Sequence, residues 1–194
     1  MMGATSTPLR VSFSGVARGG WRVTQSVPVS GERLPDASYV AISEGQAAPA
    51  GGALWTLSGV TSNLRYTTTD EKSRLASMSA PLGRAEATRA ALIPIRKSAA
   101  WWELGQDERR KIFEDRSRHI GIGMDYLPAV ARRLHHCRDL AEPFDFLTWF
   151  EFPVSAESDF NHMVERLRAT EEWRYVEREV DIRLIRTPSE GMPA

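Results

Sequence analysis

The sequence of 194 residues predicts an α+β fold, both from the elements it carries and from their order. Short β-like runs separated by Gly, Pro and Ser fill the N-terminal half, up to residue 66. From residue 88 onward, strand and helix patterns follow in the order strand, helix, strand, strand, helix, strand. That order is typical of a ferredoxin-like unit, in which two helices cover one face of an antiparallel sheet. The opposite face must also be buried, by the N-terminal half or by a second subunit.

The N-terminal half is predicted to contain short strands followed by one helix. The strand candidates are the runs "LRVSF", "GWRVTQSV", "SYVAI" and "ALWTLSGV", and the run "TTDEKSRLASM" after them is a plausible short helix. We find no internal sequence repeat, so repetition alone does not predict a duplicated fold.

The C-terminal half opens with a strand and a polar helix. "TRAALIPIRKS", residues 88–98, is an apolar run of strand length, and Pro94 argues against a helix passing through it. "ELGQDERRKIFEDRSRHI" is predicted to be one helix whose apolar side holds Ile112, Phe113 and Ile120. On this prediction, His119 lies near the end of a charged helix.

The last helix and the last strand are predicted from their apolar spacing. In "SAESDFNHMVERLRATEE", Ser155 is the predicted N-cap, and the apolar stripe consists of Phe160, Met163, Val164 and Leu167. The final run "WRYVEREVDIRLIR" alternates, so that one strand face is predicted to hold Val176, Val180, Ile182 and Leu184. The end of the chain, "TPSEGMPA", has the composition of a frayed tail.

Composition and charge exclude several classes of function. The 25 basic residues balance the 25 acidic ones, so total charge predicts neither a nucleic-acid partner nor a membrane-surface partner. Cys137 is the single cysteine, which excludes an internal disulfide, a zinc ribbon and covalent CxxCH haem attachment. The first residues lack a signal-peptide apolar run, and no segment reaches the roughly 18 apolar residues of a membrane span. We therefore expect a soluble cytoplasmic protein.

One arginine falls on an otherwise apolar strand face. If "AVARRLHHCR" is a strand and forms a hairpin about Ala141 with "FDFLTWFEF", Arg132 lies opposite Phe150, and Leu134 opposite Thr148. An arginine cannot shed its charge, and burying it unpaired costs several kcal/mol. Either Arg132 pairs with a core carboxylate or reaches an edge, or it lines a cavity and binds an anion. The local pattern is compatible with both interpretations.

His119 is the histidine with the most informative surroundings. It is followed by Gly121 and Gly123, which either leave room for a flat ligand or simply end the helix. His119 is accordingly either a solvated helix-end side chain or a metal ligand. If it is a ligand, a single axial histidine favours a macrocycle, because a protein-caged metal needs three or four ligands.

The other histidines do not form a metal site with it. His135 and His136 are adjacent in a predicted strand and point to opposite faces, so they cannot bind one metal together. His162 lies on the polar side of its helix and is expected to be solvated. No HExxH motif, two-His-one-carboxylate spacing or Ser/His/Asp arrangement is evident.

Three segments resemble a known family. These are "ATRAALIPIRKSAAWWELGQDERRKIFEDRSRHI", "YLPAVARRLHHCRDLAEPFDFLTWFEF" and "LRATEEWRYVEREVDIRLIR". They resemble the chlorite dismutases, specifically the short, dimeric branch, over residues 85–186. The likeness continues more loosely through "WTLSGVTSNLRYTTTDEK". The His-to-Arg spacing, the "KSAAWW" segment and "FDFLTWFE" carry it together.

The resemblance implies a dimeric α+β barrel made of two ferredoxin-like halves, with antiparallel sheets covered by helices. A smaller, loop-rich N-terminal half would span residues 1–84, and a C-terminal half binding one non-covalent haem b would span residues 85–186. Residues 187–194 would form a flexible tail. The chain would be a homodimer.

The resemblance also assigns roles to individual residues. His119 would be the proximal iron ligand, Glu172 would accept a hydrogen bond from its other ring nitrogen, and Lys97 would join the same network. Arg132 would lie over the open iron face. The remaining matches are the distal wall, formed by Leu134, Thr148 and Phe150, and the positions beside the haem and its propionates, Trp101 and Tyr66.

The activity implied by this resemblance is decomposition of chlorite to chloride and dioxygen, with formation of an O–O bond. In a dry apolar pocket, the positive iron centre and the Arg132 guanidinium would attract the chlorite anion more strongly than in water. The alternatives are an iron-coproporphyrin decarboxylase of the same superfamily, a haem-binding module without turnover, and a plain dimerisation domain. The resemblance implies a neutral distal residue such as Gln in the decarboxylase branch, so Arg132 argues against that alternative.

Overall fold

In the computed structural model, which describes residues 8–61 and 67–188, the strands close into one antiparallel barrel. The strands of the N-terminal half are β1 (Arg10–Val16), β2 (Trp21–Ser30), β3 (Tyr39–Glu44) and β4 (Trp55–Thr61). Those of the C-terminal half are β5 (Arg89–Lys97), β6 (Ala131–His136), β7 (Phe146–Phe152) and β8 (Val176–Arg186). Around the barrel the order is β1-β3-β2-β8-β5-β7-β6-β4, and β4 pairs back to β1.

The two halves have the same strand order. Reading along the barrel, the N-terminal half is β4-β1-β3-β2 and the C-terminal half is β8-β5-β7-β6, which is the fourth, first, third and second strand in both cases. The halves join along β2 and β8, where Trp21 pairs with Arg186, and along β4 and β6, where Val60 pairs with His136. The predicted fold of two ferredoxin-like units in one α+β barrel is confirmed, although no sequence repeat announces it. The predicted boundary at residues 84 and 85 falls between a helix and β5 and stays a prediction.

The helices are distributed unequally between the halves. Among residues 8–61 no helix separates the strands, and α1 (Thr69–Met78) follows β4. In the C-terminal half, α2 (Ala99–Glu103), α3 (Gln106–Arg110) and α4 (His119–Met124) lie between β5 and β6. Helix α5 (Glu157–Arg168) connects β7 to β8. The predicted α1 is confirmed, and it starts with a capping box between Thr68 and Glu71.

The sheet of the C-terminal half is buried on both faces. Inside the barrel, residues of both halves form one cluster, in which the Trp149 ring stacks on Phe13 at 5.6 Å and meets the edge of Trp21 at 5.2 Å. Outside it, α5 packs on the sheet through Phe160, whose ring stacks on Phe152 at 4.4 Å. The N-terminal half therefore covers the inner face of the C-terminal sheet. Removing one such buried aromatic ring typically costs about 3–5 kcal/mol.

The predicted hairpin register is confirmed. Arg132 pairs with Phe150 and Leu134 with Thr148, and the turn contains Ala141 with a φ of 56°. This register places Arg132 on the helix-covered face of the sheet, next to Phe150.

The prediction of one continuous helix from residue 103 to 120 is wrong. Leu104 and Gly105 are extended and separate α2 from α3, which continues as a π-helical stretch, Lys111–Arg116. Arg118 then takes a left-handed conformation with a φ of 52°, and α4 begins at the next residue. His119 thus starts a helix instead of ending one. The Glu114 carboxylate accepts hydrogen bonds from the backbone N–H groups of Ile120 and Gly121, which otherwise lack partners at a helix start.

Two smaller predictions are also wrong. Ser155 is not the N-cap of α5, because it already lies inside a 3₁₀ turn, Val154–Ala156, which leads into the helix. Val176 packs with the helix-side cluster, at a strand end where β5 and β8 shift register between Arg96 and Lys97. The rest of both patterns is confirmed: the stripe of α5 is buried, and the barrel interior holds Val180, Ile182 and Leu184.

Candidate functional site

A cavity lies between the helix-side face of the C-terminal sheet and the helices that cover it. The sheet contributes Arg132, Leu134, His136, Phe146, Thr148 and Phe150, and the helical side contributes Trp101, Phe113, His119, Ile120 and Trp173. Leu75 and Ser79, from α1 and just beyond it, complete this part of the lining. Most of these side chains are apolar, so the few charged ones are in a water-poor environment.

The sequence-predicted site residues come together in this cavity. Its lining includes His119, Arg132, Glu172, Lys97, Leu134, Thr148, Phe150 and Trp101. Tyr66, the remaining predicted residue, lies outside the described residues. Helices α2 and α4, strands β5, β6 and β7 and the 3₁₀ turn Glu171–Tyr175 bring the others together, although they are far apart in sequence.

A buried chain of charged groups holds His119. Its Nδ1 lies 2.7 Å from Oε2 of Glu172, and Lys97 donates from Nζ to Oε1 of the same carboxylate at 2.6 Å. Glu172 is 3 % exposed and Lys97 5 %, so both charges are removed from water. The backbone N–H of Glu172 donates to Oγ of Ser117, which ties this chain to the turn before α4.

Glu172 is ionised in this environment. Burial by itself would raise its pKa, but the charges and hydrogen bonds of His119 and Lys97 outweigh burial and lower the pKa to about 2. A carboxylate accepts hydrogen bonds only, so in the neutral imidazole Nδ1 carries the proton and Nε2 carries the lone pair. Within residues 8–61 and 67–188, Nε2 has no hydrogen-bond partner, and the side chain is 22 % exposed where it lines the cavity.

Aromatic rings fix the plane of the imidazole. Phe113 stacks on His119 at 4.3 Å between ring centroids, and Trp173 lies nearly parallel to it at 6.2 Å. Trp173 is itself held, because its Nε1 donates to Oε2 of Glu179 at 2.8 Å. Sequence reasoning placed Phe113 only on an apolar helix side and missed Trp173, Glu179 and Ser117. The adjacency of Trp173 to Glu172 was the one available signal.

Arg132 has no opposite charge beside it among the residues that the structure describes. No hydrogen bond or ion pair of its guanidinium is present there, and burial lowers its pKa. The described residues therefore do not support the interpretation of a core ion pair. The guanidinium instead lies on the cavity wall, near Leu134, Thr148 and Phe150.

The other histidines are arranged as predicted. His135 is fully buried in the barrel interior, against Phe13, and His136 faces the cavity. The two side chains therefore point to opposite sides of β6. His162 is exposed, and its Nδ1 lies 3.0 Å from the hydroxyl of Tyr126.

The donor set suits a metal that brings other ligands with it. Among the residues that the structure describes, no group of three or more His, Cys, Asp or Glu side chains could hold a metal ion. His119 offers one nitrogen lone pair, which is what a macrocycle-bound iron needs from a protein. No helix in the same residues is long and apolar enough to cross a membrane.

Comparisons with known proteins agree with this arrangement. The sequence profile of the family described as chlorite dismutase matches residues 37–186. The chlorite dismutase of Ideonella dechloratans is 31% identical over 121 residues, which are 61% of this chain and 40% of that protein. The chain thus matches less than half the length of this relative.

Solved structures extend the comparison. The dimeric chlorite dismutase of Nitrobacter winogradskyi has 57% sequence identity and a TM-score of 0.85, covering 91% of this chain and 99% of that one. A mutant chlorite dismutase of Candidatus Nitrospira defluvii in complex with cyanide has the same fold at 19% identity, with a TM-score of 0.64 and coverage of 93% and 91%. With its profile match, its barrel and its cavity, the chain belongs to the chlorite dismutase family.

Proposed function

We propose that this protein binds one haem b per chain, without a covalent link, and decomposes chlorite to chloride and dioxygen. The observation that carries the proposal is the pairing of two groups in one cavity. His119 is anchored through Nδ1 and has a free Nε2, and Arg132 has no opposite charge within the described residues. Together these groups suit an iron ligand and an anion-binding cation.

The residues present fit haem b. The cavity has an apolar lining suited to a flat hydrophobic macrocycle, and Trp101 is positioned to lie beside it. Nε2 of His119 would be the axial ligand, and an axial imidazole is the common way for a protein to hold haem iron. When bound, haem b supplies the redox-active iron at which the Cl–O bond breaks and the O–O bond forms.

Glu172 and Lys97 would tune the ligand. By accepting a hydrogen bond from Nδ1, Glu172 fixes the tautomer and the ring orientation of His119 and makes Nε2 a stronger electron donor. Lys97 keeps Glu172 from carrying an unpaired buried charge, and its Nζ also lies 4.7 Å from the centre of the Trp101 ring.

Arg132 would bind the chlorite anion and would retain the hypochlorite-like fragment that Cl–O cleavage leaves. A guanidinium keeps its positive charge, and in a cavity that excludes water its attraction for a small anion is several times stronger than in bulk solution. Leu134 and Phe150 offer that fragment no proton donor, and Thr148 offers only a hydroxyl. The Arg132 charge would therefore be the main interaction that keeps this fragment in the cavity.

We also propose that the protein is a homodimer. The structure with 57% identity is of a dimeric chlorite dismutase, and the match covers nearly all of that chain. Light scattering coupled to size-exclusion chromatography would give twice the chain mass of 21.7 kDa. A mass of one chain at micromolar concentration would contradict the dimer.

An oxygen electrode tests the activity directly. Protein reconstituted with haem b should evolve dioxygen when chlorite is added, with chloride formed in equal amount. The iron-coproporphyrin decarboxylase and the haem-binding module without turnover both predict no dioxygen. Haem-loaded protein that produces none would overturn the proposed function.

A further inference from the structure

Helix α4 contains two glycines, and neither is required by the backbone. The positive-φ glycines of the described residues are Gly31, Gly45, Gly52 and Gly83, so Gly121 and Gly123 have ordinary backbone angles. A glycine inside a helix is about 0.5–1 kcal/mol less favourable than alanine. If a glycine is needed at either position, the reason is therefore the space around it and not its backbone conformation.

The space around the two glycines differs. A Cβ added at Gly123 would lie 2.6 Å from Nη1 of Arg132, closer than a real Cβ approaches another heavy atom, and 3.3 Å from its Cζ, which is a tight contact. A Cβ added at Gly121 would lie 3.5 Å or more from its nearest neighbours, on Arg118 and Glu114, which is ordinary contact. Gly123, and not Gly121, makes room for the Arg132 guanidinium.

This contact matters because little else restrains the guanidinium. In the described part of the chain Arg132 has no hydrogen bond or ion pair, and a long arginine side chain has several rotatable bonds. Gly123 also lies one helical turn after His119, about 6 Å further along α4. One short helix therefore carries the proposed iron ligand and the surface on which the guanidinium rests.

We propose that Gly123 is a positioning residue, which sets the place of the Arg132 guanidinium and thereby the affinity of the site for small anions. This inference rests on the proposed function, because it requires haem at His119 and an anion beside Arg132. A methyl group at position 123 moves the guanidinium away from its place against α4. Restoring ordinary contact at Nη1 needs a displacement of about 1 Å. For an anion about 4 Å away, that displacement weakens binding about fourfold at an effective dielectric constant of about 20.

The test compares Gly123→Ala with Gly121→Ala, the same change two positions earlier on the same helix. Both variants are loaded with haem b, and azide binding to the ferric protein is titrated through the Soret band. Imidazole, a neutral ligand, is titrated in parallel. We expect Gly123→Ala to weaken azide binding about fourfold and imidazole binding by less than about twofold, with Gly121→Ala close to the unchanged protein for both.

A second background shows whether the effect passes through Arg132. In Arg132→Ala protein the methyl group has nothing to displace, so adding Gly123→Ala should leave azide affinity unchanged. If Gly123→Ala alone fails to hold haem, the double variant should load haem again. Failure of the double variant to load would overturn the proposal.

The remaining outcomes separate this inference from the proposed function. If Arg132→Ala weakens azide while Gly123→Ala binds azide like the unchanged protein, Gly123 has no positioning role and the proposed function stands. If Arg132→Ala itself leaves azide affinity unchanged, the anion-binding role of Arg132 is wrong, and the inference falls with it.

Discussion

The two halves of the barrel share a strand order but differ in what lies outside the strands. In the C-terminal half, residues of helices α2, α4 and α5 enclose, together with the sheet, a cavity that holds a buried ion pair and a guanidinium with no ion pair in the described residues. In the N-terminal half, residues 8–61 contain strands without helices between them, and the outward Ser12 and Ser58 simply bond to each other at 2.8 Å. The same sheet topology therefore supports a site only where a helical layer encloses it.

Replacing His119, which lines the cavity, and His162, which is exposed on the outside of the helical layer, should give the largest difference in haem loading. His119→Ala removes the imidazole nitrogen that we assign to iron, so the purified protein should lack the Soret band after reconstitution. His162→Ala is the matched control, because that ring is exposed and contacts Tyr126. Normal haem loading of His119→Ala would remove the ligand assignment.

Arg132 tests whether the enclosed charge is chemical or structural. Arg132→Ala should keep haem but lose about 10²-fold or more of its dioxygen evolution from chlorite, since the anion loses its charged partner. Arg132→Lys should fall between, because it keeps the charge but not the planar fork. Undiminished evolution by Arg132→Ala, measured with the oxygen electrode, would refute the distal role.

Removing one carboxylate from each half should cost different amounts of stability. Glu172→Gln leaves Lys97 buried without a counter-charge and should destabilise the haem-free protein by about 3–5 kcal/mol. Glu44→Gln, at the end of β3, removes a half-exposed ion pair with Arg133 and should cost about 1 kcal/mol or less. Urea unfolding followed by tryptophan fluorescence measures both, and equal losses would contradict the difference in environment.

The seam between the halves should be sensitive to acid. His135 is buried on β6, where Nδ1 donates to the Leu147 carbonyl and Nε2 accepts from Nε of Arg133. Burial lowers its pKa to about 4, so between that pH and about 6.5 the unfolded chain binds a proton that the folded chain does not. The contribution of neutral His135 to the free energy of unfolding should be fully present above pH about 6.5. The free energy of unfolding should fall by about 2–3 kcal/mol as the pH drops to about 4.

Urea midpoints at several pH values measure this loss. In His135→Gln the slope between about pH 6.5 and 4 should flatten even if the variant is less stable overall, because the titrating group is gone. The exposed His162→Gln should keep the slope. An unchanged slope in His135→Gln would assign the acid sensitivity to other groups.

The local parts of the structure followed from local sequence features. The alternation of β6 and β7, with a hairpin assumed about Ala141, predicted that Arg132 lies opposite Phe150. The spacing of the apolar residues predicted the buried stripe of α5. The break before α4 could not be predicted this way, because the left-handed Arg118 is accompanied by the Glu114 carboxylate folding back onto the next helix. The pattern of polar and apolar residues between Glu114 and Arg118 does not predict such a contact.

By itself, the sequence determined most of the kinds of element, which residues share a strand face, and the presence of a charge on an apolar strand face. These depend on side-chain alternation and turn chemistry over a few neighbouring residues. Only the tertiary structure decided that the barrel closes, that Arg132 has no acidic partner within the described residues, and that Lys97, Glu172 and His119 form one chain of contacts. Glu172 is 75 residues from Lys97 and 53 from His119, and contacts at such separations exist only once the sheet and its helices have packed together.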